Sequence, residues 1–174
     1  GYGERWDQER CVLWAEGEVR QAAIFGEHLR LTRHIEADLD GSEIRLCDSI
    51  RNFGFDRTPH MYLYHINLGW PLVDERTRFE APVLETLWES ESVASQGASY
   101  LELVGPQPSF VEQVYQHRLT SDTHGNTTVA VSSPSAGIRL ELEYDALAFP
   151  VFFQWLNLRE GDYALGLEPA THNI

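Results

Sequence analysis

The sequence predicts an all-β protein, an antiparallel β-sandwich, on three observations. Apolar and polar residues alternate at period two through most of the 174 residues. Gly, Asp and Pro punctuate the chain between about ten such runs, the spacing of short strands joined by turns. Apolar residues at helical spacing are nearly absent. With 43% hydrophobic and 11% aromatic residues, the chain has the material for a proper core, so residues 1–174 are expected to form a single β-sandwich domain.

The first ten residues, GYGERWDQER, read as a polar, frayed lead-in. From Cys11, CVLWAEGEVRQAAIF gives two apolar runs parted at Gly17 and closed at Gly26. Leu29 to Asp40 alternates Leu29, Leu31, Arg33, Ile35 and Ala37 against polar neighbours, a half-buried strand. Asp40-Gly41 is a hairpin turn, after which SEIRLCDSIRNFG pairs back. In TPHMYLYHINLGWPLVDE, Thr58 to Glu75, the alternation puts Leu63, His65 and Asn67 on one face and Tyr62, Tyr64 and Ile66 on the other, before a Gly69-Trp70-Pro71 corner.

Residues 76–97 are acidic and lack clean alternation. Leu84, Leu87 and Trp88 stand at i, i+3, i+4, so a short helix or a surface loop is expected there. ASYLELVG predicts a strand, Pro106 and Pro108 a corner. VEQVYQHRL then sets Val111, Gln113, Tyr115 and His117 against Glu112, Val114, Gln116 and Arg118. TTVAVSS, GIRLELEY and the very apolar ALAFPVFFQWLNL predict three further strands, and ALGLEP the last, with Gly166 inside it and Pro169 as its stop.

The formal charge is −14, from 27 acidic and 13 basic residues, and no lysine occurs. A field of that sign repels phosphate backbones, which disfavours nucleic acid and anionic membranes and leaves neutral ligands as the better partners. No apolar run is long enough to span a bilayer, and the first residues are too polar for a signal peptide. Cys11 and Cys47 lack CxxC spacing and are expected as buried free thiols, and a cytoplasmic location follows. No Gly-rich phosphate loop, GxSxG elbow or HExxH helix is present.

Two groups invite chemistry. His65 shares a strand face with the Asn67 amide, and Glu168 sits in LGLEPAT, where an apolar setting would raise a carboxyl pKa and suit it as a general base. The plainer readings are a hydrogen-bonded core histidine and an exposed strand-end glutamate. His117 is a lesser candidate beside Gln113 and Tyr115. His60 and His65, five apart, lack the further ligands that a metal site needs, so metal: none.

The segments YHINLGWPLVDE, LGLEPAT and FFQWLNLREGDYALGLEP resemble the aldose 1-epimerase (galactose mutarotase-like) superfamily, in its branch known as domain of unknown function 4432, from about Val12 to Thr171. The resemblance implies the family's supersandwich, with this chain as its C-terminal larger part. It implies a small-molecule sugar as ligand, no cofactor, and interconversion of α and β anomers of an aldose. In that reading His65 protonates the ring oxygen and Glu168 takes the anomeric hydroxyl proton. Trp70 and Trp155 would stack on the sugar, His60, Asn67, Gln154 and His117 would contact it, and Glu112 is the nearest match to a further binding carboxylate. A non-catalytic carbohydrate-binding sandwich and a metal-dependent cupin-like isomerase using His60 and His65 stay open, as does a homo-oligomer.

Overall fold

A computed structural model describes residues 1–7 and 10–173. The chain divides into two compact units, Gly1–Pro59 and His60–Ile174. The first is one antiparallel sheet in the order β1-β2-β3-β4, formed by β1 (Tyr2–Asp7), β2 (Arg10–Ala22), β3 (His28–Asp38) and β4 (Ile44–Asn52). Its register sets Leu13, Val19, Leu31, Ile35, Leu46 and Ile50 on one face, where Arg33 and Asp48 meet as a two-bonded pair. Arg20, Arg30, His34 and Glu36 lie on the other face.

Two expectations change in this unit. The polar lead-in is a strand, because Tyr2 to Asp7 finds the open edge of β2 and pairs along its full length. Gly17 does not part β2, which runs unbroken for 13 residues, since a glycine inside a well-paired ladder keeps its backbone hydrogen bonds. Cys11 is buried as expected, whereas Cys47 is exposed on edge strand β4, and both are free thiols.

The second unit is a sandwich. A five-stranded antiparallel sheet has the order β5-β12-β11-β8-β7, from β5 (Ile66–Leu68), β7 (Val83–Glu89), β8 (Gln113–Leu119), β11 (Val151–Asn157) and β12 (Ala164–Ala170). A three-stranded sheet has the order β10-β9-β6, from β6 (Arg78–Glu80), β9 (Asn126–Ser133) and β10 (Ile138–Asp145). Phe152, Leu156, Leu165, Leu167 and Tyr115 from the first sheet pack with Phe79, Val129 and Val131 from the second. Every second residue of β8, β11 and β12 therefore enters the core, and the residues between them face away from it.

The acidic stretch 76–97 resolves into β6, β7 and the short helix α1 (Glu91–Gln96). The Leu84, Leu87, Trp88 spacing is a strand with two register irregularities, not a helical turn, which is why clean alternation is missing. ASYLELVG forms no strand: it crosses over the core, inserting Tyr100 and Leu103. Pro169 does not stop β12, which continues to Ala170. The proline carbonyl accepts a hydrogen bond from Tyr64 N–H, so only one ladder bond is lost at that position.

Candidate functional site

The outward face of the five-stranded sheet carries the titratable groups. Leu63 bridges Ala170, and Ile66 and Asn67 pair with Leu167 and Gly166, so one constant register sets His65 directly opposite Glu168. Glu168 lies across from Phe153, and Phe153 from Gln116. Two residues along each strand, Asn67, Gly166, Trp155 and Val114 form a second row on the same face. His65 and Glu168, about a hundred residues apart in the chain, thus become neighbours through backbone pairing alone.

His65 Nε2 lies 3.0 Å from Glu168 Oε1. The imidazole is 44% exposed and the carboxyl 9%, so the pair has one member at solvent and one beneath it. The contact has ion-pair distance without hydrogen-bond alignment, and Glu168 Oε1 is left buried with no hydrogen-bond partner. Burial pushes the Glu168 carboxyl above the usual carboxylate range. The His65 charge opposes this, and the negative charge of Glu112 adds to it. A buried acceptor with an unmet bond beside an exposed imidazole can take a proton from a ligand hydroxyl.

Gly166 makes this arrangement possible. A Cβ at that position would stand 2.7 Å from Glu168 Oε1, 3.1 Å from Trp155 Cβ and 3.3 Å from His65 Cε1. The carboxylate folds back over its own strand into the space a side chain would fill. The Trp155 ring meets His65 edge to face at 5.5 Å, which fixes the tilt of the imidazole.

The face thus brings together His65, Glu168, Asn67 and Trp155. It does not bring in His117 or Gln154. Both lie on the core side of the same sheet and are completely buried, because β8 and β11 put them one residue out of phase with Gln116 and Trp155. His117 Nδ1 meets Thr86 Oγ1 at 3.1 Å, its ring stacks on Tyr115, and Gln154 Nε2 donates to the Tyr100 carbonyl at 2.8 Å. Burial holds the His117 pKa down at about 4, opposed only in part by the Gln154 amide, and Nε2 is left without a hydrogen-bond partner. Trp70 is 81% exposed in the turn after β5. The His60 ring stacks on Tyr62, which packs with Tyr64 and Phe149, away from His65.

The glycine that the sequence places inside the last strand, Gly166, is the one that makes room for the Glu168 carboxylate, whereas nothing in the sequence marks Phe153 as its cross-strand neighbour. Among the described residues no three His, Cys, Asp or Glu side chains are grouped to hold a metal ion. A cavity of about 310 Å³ bordered by Gln96, Glu102, Phe110 and Gln113 does not reach His65 or Glu168. Beside the pair the face is covered: Phe153 is 3% exposed and packs with Val151, Ala170, Leu63 and Val114, so that His65 alone of the two reaches solvent.

Residues 2–174 match the family described as "Domain of unknown function (DUF4432)". The chain belongs to that family. Its fold is that of the crystal structure of "a putative aldose 1-epimerase from Klebsiella pneumoniae subsp. pneumoniae MGH 78578", with a TM-score of 0.86, 22% sequence identity and 95% of this chain covered. The match spans 44% of the Klebsiella chain, so this member of the DUF4432 family corresponds to less than half of that protein's length. No curated protein matches the sequence. The all-β fold is thus similar to that of the Klebsiella protein, and no described helix is long and apolar enough to cross a membrane.

Proposed function

We propose that the chain carries the acid-base pair of an aldose mutarotase, with His65 and Glu168 exchanging protons with the two oxygens of a sugar's anomeric carbon. The observation that carries this reading is the 3.0 Å approach of an exposed imidazole to a buried, unsatisfied carboxylate in strict cross-strand register. Mutarotation needs a donor and an acceptor close together, because the ring oxygen and the anomeric hydroxyl are bonded to the same carbon. His65 donates to the ring oxygen while Glu168 removes the hydroxyl proton. The ring opens to the aldehyde, the C1–C2 bond turns, and reclosure on the other face returns both protons.

The raised pKa of Glu168 brings a carboxylate's basicity closer to that of an imidazole, so neither direction of transfer is strongly uphill. Each positioned group contributes roughly 10²–10⁴-fold. Asn67, exposed and across from Gly166, is placed to bond a sugar hydroxyl, and the indole of Trp155 offers an apolar surface beside the anomeric centre. The likeness to the Klebsiella protein supports a sugar as the ligand. The chemistry described uses protein groups alone, and the reading gives the chain a place among soluble enzymes of carbohydrate metabolism.

The test is anomer exchange by NMR with a panel of aldoses. Wild type is expected to exceed the spontaneous rate with at least one sugar, and His65→Ala and Glu168→Gln to fall back to it while staying folded. A folded wild type that accelerates none of them would leave a sugar-binding module without catalysis.

A further inference from the structure

The geometry points to an anion site in the first unit, where Arg20, Arg30 and Arg51 together bind a phosphate or sulfate group, free or carried by a small molecule. The three arginines stand directly opposite one another on β2, β3 and β4, in one row on the polar face of the sheet. Like charges set opposite each other across a ladder repel, so such a row weakens the sheet unless opposite charge lies over it. Glu18 supplies one such charge, taking Arg20 Nε at 2.6 Å and Arg30 Nη1 at 3.0 Å with its two oxygens. Among the described residues Arg51 is in no ion pair.

Further along the same face the charges are matched. Arg5 pairs with Glu36, Arg10 with Asp38 and Arg45 with Glu43, one carboxylate to each guanidinium. The row at Arg20, Arg30 and Arg51 sets three positive charges against one negative, a local excess inside a chain of net charge −14. Its middle member is already held in place. The Arg30 guanidinium carbon lies 3.9 Å from the centre of the Phe53 ring, Glu18 fixes one end of the fork, and Nε, shut off from water, has no hydrogen-bond partner. Arg20 and Arg51 flank it from the two adjacent strands, exposed and free to close on the same point. A guanidinium fixed beforehand between two mobile ones loses little freedom when all three take one ligand.

The donors set the chemistry of the ligand. A phosphate or sulfate group presents at least three oxygens and up to two negative charges, so each guanidinium can take an oxygen and a dianion cancels the excess. A carboxylate brings two oxygens and one charge. A polyanion would have to lie along a chain that is acidic overall, so the row suits a small anion and not a nucleic acid.

The experiment titrates the whole chain with inorganic phosphate, sulfate, glucose 6-phosphate, glucose and acetate at constant ionic strength, following the arginine Nε–H signals by NMR and the Tm in the same buffers. Phosphate, sulfate and glucose 6-phosphate are expected to shift the Arg20, Arg30 and Arg51 signals saturably, to leave that of Arg5 in place and to raise the Tm. Glucose and acetate are expected to bind weaker by about tenfold or more. Arg30→Gln and Arg51→Gln should each weaken phosphate binding about tenfold, and Arg5→Gln by less than about twofold. Arg51→Gln carries a second signature: without phosphate it is at least as stable as wild type, because a like charge leaves the row, and phosphate no longer lifts its Tm. Equal binding of phosphate and its sugar ester supports the site with the anion alone as ligand, and tighter binding of the ester supports it with the rest of the molecule in contact. Shifts at Arg5 as large as those at Arg51, acetate bound as tightly as phosphate, or a folded Arg51→Gln with wild-type affinity overturns the proposal. Should Arg30→Gln fail to fold, Arg51→Gln, which breaks no ion pair, still decides.

Discussion

Gly166→Ala separates the fold from the site more sharply than any other single change. The new methyl carbon would lie 2.7 Å from Glu168 Oε1, and ordinary contact begins near 3.4 Å, so the carboxylate must retreat by about 0.7 Å. It is the free end of a flexible side chain and can do so. Trp155 Cβ, at 3.1 Å, must give by a few tenths of an ångström. Crowding of this kind costs about 1–3 kcal/mol, and replacing glycine returns about 0.4–1 kcal/mol by restricting the unfolded chain, leaving a net loss of about 0–2.6 kcal/mol. Catalysis has less tolerance. A displacement of about an ångström at a reacting group costs on the order of 10²-fold, equivalent to about 2.7 kcal/mol of transition-state stabilisation. Thermal unfolding and NMR anomer exchange on the same sample measure both effects. A folded Gly166→Ala that exchanges anomers at the wild-type rate would refute the claim that the Glu168 position matters.

Glu168→Gln should gain stability over wild type as pH rises. Burial, opposed by His65 and reinforced by Glu112, raises the folded carboxyl pKa, so its contribution is full below the ordinary value near 4.3 and is lost as pH climbs through the raised one. A Tm difference that stays flat with pH, or runs the other way, would contradict this. His117 works in the opposite direction. With its pKa held at about 4, its contribution is complete above about pH 6.5 and is lost as pH falls toward 4, up to about 3 kcal/mol, a slope that chemical denaturation should find missing in His117→Gln. Trp70→Ala, at an exposed turn, should change stability by less than about 0.5 kcal/mol and exchange by less than twofold, and a large loss in either would return Trp70 to the site.

The strand ladder was legible wherever one face was core and the other was not. Period-two alternation found β3, β8, β9 and β10, and it set His65 and Asn67 on one face correctly. It failed where tertiary pairing overrode local pattern. β1 is polar and exists because β2 has an open edge. β7 has two irregularities that break its period, and ASYLELVG alternates yet spends its apolar residues capping the core. The site was half legible for the same reason. Polarity marked His117 and Gln154, but only knowledge of which face meets the small sheet shows them to be buried, and which atoms Gly166 makes room for emerges only when Glu168 and His65 are set beside it. A fully buried histidine held by Thr86 through Nδ1 looks, in sequence, like a ligand-binding one.

The most direct test of the acid-base pair is the exchange rate of a sugar's anomers measured with wild type, His65→Ala and Glu168→Gln at equal concentration. Wild type should run well above the uncatalysed rate, with each variant folded and at least a hundredfold slower. Equal rates for the wild type and both folded variants would show that proton transfer at the anomeric carbon does not pass through these two side chains.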